Sequence, residues 1–216
     1  MSNPEEKSIA RELKNHFWIL GTFVAIFWIL AIVDHSSLSC MLGNAAQIGR
    51  CSLGRIGQCS LGQYGIIPHN PIGLRGILFA PFLHGSWGHL IANTVPFIIL
   101  GWFVMLQETS DFFIVTAIVM VVAGGGTWVF GQPCSFHIGA SSLIYGYLGF
   151  LLFRGYYERN FTSIALSVLV FFLYGGVVWG ILPSQPGISW QGHLFGFIGG
   201  ILAARFIGKA RRALRG

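Results

Sequence analysis

The stretch FWILGTFVAIFWILAIV (17–33) decides what kind of chain this is. It holds no charge, and ending at Asp34 it approaches the roughly 20 apolar residues that carry a helix across a bilayer. Lys7, Arg11 and Lys14 precede it. A basic start and an apolar run also make a secretory signal. No small-residue cleavage site follows Val33, so the segment reads as a retained helix. The remainder of the chain has the same character. Of 216 residues, 54% are hydrophobic and 9% are charged, where a soluble domain carries roughly 25% charged residues. That is too little charge to cover a water-facing surface. It argues against a soluble enzyme, a disordered chain and a nucleic-acid binder, in spite of a net charge of +6. The 30 glycines follow no G-X-Y period and suit closely packed membrane helices. The 19 Phe and 7 Trp suit lipid contact and interfacial belts.

Working outward, six stretches are long enough to span: 17–34, 89–106, 112–131, 139–157, 161–182 and 190–208. The expectation is an all-α membrane protein. A short N-terminal segment (1–16) precedes a six-helix membrane domain (17–208), and a basic tail (209–216) follows it. With six spans, both termini and the second and fourth loops share one side. That side holds Lys7, Arg11, Lys14, Arg154, Arg159, Arg205, Lys209, Arg211, Arg212 and Arg215, and the other holds only Arg50, Arg55 and Arg75. Cytoplasmic loops collect Lys and Arg, so both termini are expected in the cytoplasm. The tail KARRALRG then faces anionic lipid rather than nucleic acid.

The long first loop (35–88) falls on the outside. RCSLGRIG (50–57) is followed there by QCSLGQYG (58–65), a duplication too short for a solenoid. Cys40, Cys51 and Cys59 share this compartment. A disulfide among them and free thiols are both open readings. GLRGILFAPFLHGSW (73–87) is apolar but broken by Gly and Pro, so it is expected to lie partly in the membrane interface.

Strong hydrogen-bonding groups inside spans are costly, which makes each a functional candidate. Here they are His89 and Asn93 in span two, Ser141 and Ser142 in span four, and His193 in span six. All three spans enter from the outside, so these residues lie at one depth near the outer face. Chemistry follows from that. A serine becomes nucleophilic when a base takes its proton, and His193 is the candidate base for Ser141. The His89 ring, the Asn93 amide and the Ser141 backbone N–H are candidate donors to an oxyanion. Tyr145, one turn after Ser141, is placed to stack on the imidazole. No carboxylate is positioned to orient His193, which favours a dyad over a triad. Gly192, Gly196 and Gly200 recur every four residues, a spacing that lets helix backbones meet. Each feature alone has a plainer reading. A membrane Ser bonds back to its own helix, Asn93 joins helices, and a membrane His also serves proton relays.

With these residues in view, the sequence resembles the rhomboid family of intramembrane serine proteases. HGSWGHLIAN (84–93) looks like the family's His-x4-His-x3-Asn element, GASS (139–142) resembles its nucleophile motif, and GHLFGFIGG (192–200) resembles its last core helix. The resemblance implies a six-helix rhomboid-like bundle with a long, partly membrane-embedded first loop. It implies Ser141 as nucleophile and His193 as general base, with His89, Asn93 and Tyr145 in support and His84 in the first loop near the substrate. It implies single-pass membrane proteins as substrates and helix five, which carries Trp179, as a mobile gate. Two positions depart from the family pattern. Ser142 stands where a glycine is usual, and Leu74-Arg75 stands for a Trp-Arg element with a structural role. The alternative is a catalytically silent rhomboid-like protein that binds transmembrane clients. A transporter using His89 and His193 needs ionisable groups along a path across the membrane, and these cluster at one depth. No metal or other cofactor is expected, since no H-E-x-x-H is present. Without an organelle transit peptide, a bacterial plasma membrane is the expected location.

Overall fold

The computed structural model describes residues 4–36, 61–183 and 189–214. Six long helices dominate it: α1 (Pro4–Asp34), α2 (Trp87–Met105), α3 (Thr109–Phe130), α4 (Ser141–Glu158), α5 (Phe161–Tyr174) and α6 (Trp190–Ala213). Each falls on one of the six expected spans, but among the described residues five are long and apolar enough to cross a membrane and α4 is not. α1 begins well before Phe17, because the polar residues around Lys7–Lys14 are good helix formers and continue the apolar stretch. A 3₁₀ segment (Gly175–Ile181) extends α5.

Burial follows the apolar stripes. Along α1, Leu20, Phe27 and Ala31 face inward while Phe17, Trp18, Ile29 and Ile32 are exposed. A surface of large exposed apolar side chains is what lipid contact requires. α4 is the centre of the bundle, with every residue from Leu143 to Leu151 buried. Its contact with α6 is backbone to backbone. A Cβ on Gly196 would strike the carbonyl of Ser142, one on Gly200 the carbonyl of Gly146, and one on Gly149 the carbonyl of Phe197. The four-residue glycine spacing read in the sequence thus brings the Ser141 helix and the His193 helix together. α5 rests on α4 through Ser167, which bonds Leu151 O at 2.6 Å and accepts from Gly155 N at 3.0 Å. It leaves Phe161, Phe171 and Phe172 exposed, and its 3₁₀ extension leaves Trp179 exposed.

One end of the bundle is closed by buried charges. Arg154, 0% exposed, bonds Asp111 at 2.9 Å, Glu158 at 3.0 Å, Gln107 at 2.9 Å and the carbonyl of Val104 at 3.3 Å. Arg211 reaches the same two acids, Asp111 at 2.9 Å and Glu158 at 2.6 Å. Two cations meet two anions, so the network is neutral. It ties the start of α3 to the ends of α2, α4 and α6. Neither acid belongs to the motifs that the sequence singles out.

The first loop folds over the opposite end. Pro71–Arg75, Gly76–Phe79 and Ala80–Phe82 form successive short helical turns. Leu74, Leu78 and Phe79 are exposed while Ile77 packs on Gly124 of α3. Arg75 secures the loop: its guanidinium bonds Gln63 O at 3.0 Å and lies 4.4 Å from the Tyr64 ring. Cys134 is in a disulfide, a residue the sequence reading did not single out. Cys40, Cys51, Cys59 and most of the 50–65 repeat lie outside the described residues.

Candidate active site

The helix ends opposite the charged network carry the polar residues singled out in the sequence. Ser86 caps α2, its hydroxyl accepting from His89 N at 3.2 Å. That turns His89 and, one turn on, Asn93 toward α4. Gly139 sits at φ +118°, a conformation that favours glycine. A Cβ there would come within 2.6 Å of the His89 ring and 3.5 Å of Asn93 Nδ2. The backbone entering Ser141 therefore passes directly over both side chains. Asn93 is buried, and its Nδ2 has no hydrogen-bond partner among the described residues. A buried amide donor left unpaired carries a real free-energy cost, and this one lies beside the segment that leads into Ser141.

His193 is held on two sides. Its Nδ1 lies 2.8 Å from the carbonyl of Gly180, in the 3₁₀ extension of α5. A carbonyl only accepts, so Nδ1 carries the proton and Nε2 presents a lone pair. Tyr145 stacks on the imidazole with centroids 4.1 Å apart and planes 15° off parallel. The Tyr145 hydroxyl in turn donates to Val177 O at 2.9 Å. Gly180 has no room for a side chain, since a Cβ would run into the Tyr145 hydroxyl. The stacking was legible from the four-residue spacing of Ser141 and Tyr145. The Gly180 carbonyl was not, because a backbone acceptor from another helix leaves no mark in a side-chain pattern.

Ser141 opens α4 and is half-buried. No hydrogen bond joins its hydroxyl to His193 among the described residues, and such bonds are often long without substrate. Ser141 and Ser142 line a small open pocket together with His137, Thr127, Ser189 and Gly192. His84, expected on the substrate side of the first loop, is turned inward and is 1% exposed. It packs 5.3 Å from the His89 ring and accepts a long bond, 3.5 Å, from Ala140 N. It thus supports the backbone just before Ser141.

Two histidines outside the spans are held neutral. Burial lowers His84 to about 4, with His89 adding to the effect. Burial alone lowers His137 to about 4. The unfolded chain therefore binds more protons than the native one between about pH 4 and 6.5. Stability is complete above pH 6.5 and falls as pH drops toward 4, by up to about 1.4 kcal/mol per pH unit for each histidine. Thermal unfolding in detergent between pH 7.5 and 5 should show a falling Tm, with a shallower slope in a His84→Asn/His137→Asn variant. A flat wild-type profile would contradict this.

A family model described as the Rhomboid domain matches residues 73–210. The chain belongs to the rhomboid family, and it is a multi-pass membrane protein. An uncharacterised protein of Mycobacterium tuberculosis is 36% identical over 211 residues, covering 92% of this chain and 80% of that protein. One from Mycobacterium leprae is 34% identical, with 92% and 76% covered. A Toxoplasma gondii protein named Rhomboid-like protease 5 is 31% identical over 134 residues, 58% of this chain and 15% of that protein.

Proposed function

We propose that the protein is an intramembrane serine endopeptidase that cuts single-pass membrane proteins within or beside their transmembrane segments. The observation that carries this reading is the state of His193, whose Nδ1–H is committed to Gly180 O at 2.8 Å while Tyr145 fixes the ring plane. An imidazole so held has one task left for Nε2, which is to accept a proton. The proton comes from Ser141, whose Oγ attacks the scissile carbonyl. His193 then returns it to the leaving amine. The Gly180 carbonyl orients the imidazole, as a carboxylate does in a triad. The unpaired Asn93 amide, the His89 ring and the Ser141 backbone N–H receive the oxyanion. Family membership and the protease relative support the reading, and the mycobacterial relatives support a bacterial plasma membrane. The basic termini then lie in the cytoplasm and the site opens to the outside. Domain limits of 1–16, 17–208 and 209–216 fit this arrangement.

Asn93→Ala should lower kcat by about 10- to 10³-fold, as removal of one oxyanion donor does. It should leave the fold intact, because the lost Nδ2 has no hydrogen-bond partner among the described residues to strand. An unchanged kcat would remove Asn93 from the oxyanion site. The activity itself is tested in liposomes with a panel of single-pass reporters, mapping products by mass. Cuts within or next to the transmembrane segment are expected. Equal cleavage of a soluble unfolded protein would contradict the assignment.

A further inference from the structure

His137 belongs to none of the motifs above, yet it has the most ordered hydrogen bonding near the site. Its backbone pairs with Ile66 of the first loop in both directions, each bond 3.0 Å. Its Nε2 lies 2.7 Å from Ser135 Oγ and its Nδ1 lies 2.6 Å from Ser189 Oγ. The proton order is determined. Ser135 gives its one hydroxyl proton to Gln132 O at 2.5 Å. Its oxygen can only accept from His137, so the proton of the ring sits on Nε2. Nδ1 is then an acceptor and takes the Ser189 hydroxyl proton. The Ser189 oxygen in turn accepts from Gly192 N at 3.4 Å as the cap of α6. This order holds for a neutral ring, the state in which burial keeps His137.

The two ends of this chain of bonds matter. His137 precedes Ser141 by four residues, and Ser189 precedes His193 by four. The carbonyl of Ser189 accepts from His193 N at 3.2 Å. The His137–Ser189 bond thus joins the segment entering the Ser141 helix to the first turn of the His193 helix, across the pocket that both residues line. The glycine contacts of α4 and α6 set how close the helices lie, but this bond is the polar link between their starting ends.

We propose that His137 is a positioning residue: through Ser189 it sets the register between the Ser141 and His193 helix starts, and so the reach of Nε2 to the serine hydroxyl. The proposal rests on the serine-protease reading. A misplacement of about 1 Å between reacting groups costs on the order of 10²-fold in rate, so the effect falls on the chemical step and not on binding.

The test uses the full chain in detergent and a fluorophosphonate probe, with the inactivation rate constant and the probe's apparent binding constant measured separately. His137→Asn keeps an acceptor at the Nδ1 position. His137→Gln keeps only a donor near Nε2, and His137→Phe keeps neither. The rate constant should fall about 10- to 100-fold in Phe and Gln and recover in Asn, with the binding constant unchanged. Ser189→Ala combined with His137→Phe should be no slower than the slower single variant. Histidine ¹⁵N spectra should show the Nε2–H tautomer, with the Nδ1 signal moving in Ser189→Ala. A merely structural histidine would lower Tm alike in Asn and Gln and leave the rate constant of the folded protein unchanged. Wild-type rates in His137→Phe, or equal rates in Asn and Gln, would overturn the proposal. Failure of the wild type itself to react would instead overturn the protease reading, and the positioning role with it.

Discussion

Ser141→Ala should bring turnover of a single-pass reporter to background, a loss of at least about 10⁴-fold if the serine and histidine act as one unit. The fold should not suffer. Ser141 is the first residue of α4, where alanine is a good helix former, and its hydroxyl has no hydrogen-bond partner among the described residues to strand. Cleavage and Tm measured on the same preparation check both halves. The neighbouring hydroxyl of Ser142 lines the same pocket, so Ser142→Ala is the matching control and should retain activity. Cleavage retained in Ser141→Ala and lost in Ser142→Ala would move the nucleophile by one residue.

The largest stability effect is expected at the other end of the bundle. Arg154→Met removes a fully buried cation from the network with Asp111, Glu158 and Arg211. Two carboxylates, 3% and 1% exposed in their side chains, then face one remaining guanidinium. Breaking a buried pair from one side costs about 3–5 kcal/mol, because the stranded charge loses its compensation. Arg154→Lys should restore only part of this. An ammonium cannot reproduce the fork that bonds Glu158, Val104, Gln107 and Asp111 together. Unfolding in a detergent series gives the comparison. A cost below about 1 kcal/mol for Arg154→Met would mean that the network ties the helix ends without stabilising them.

The two ends of the molecule differed in how far the sequence disclosed them. Hydropathy gave five of the helices outright, since apolar length across a bilayer is a demanding constraint, whereas α4, which carries Arg154, Glu158 and four tyrosines, is less apolar and buried instead at the centre of the bundle. Glycines at 196 and 200 gave the α4–α6 contact, because close backbone approach leaves few other residue choices, while Gly192 in the same series faces Thr127 of α3. Ser141, His193, His89, Asn93 and Tyr145 stood out as polar groups in apolar surroundings. The buried Arg154 network did not stand out, because Asp111 and Glu158 sit at helix ends where charge is ordinary. The orientation of His193 by Gly180 and the His137–Ser189 bond depend on contacts between distant segments. A backbone carbonyl and two serines in loops have no periodicity to reveal them. His84 was placed in the right loop, but its burial beneath Ala140 required the fold of that loop.

The central claim is that Ser141 is activated by His193, and reaction with a fluorophosphonate probe tests it without a known client. The purified wild type should label covalently at Ser141, and both Ser141→Ala and His193→Ala should fail to label while remaining folded. A folded wild type that does not react, or that reacts equally without His193, would contradict the account and favour a rhomboid-like protein that binds transmembrane clients without cutting them.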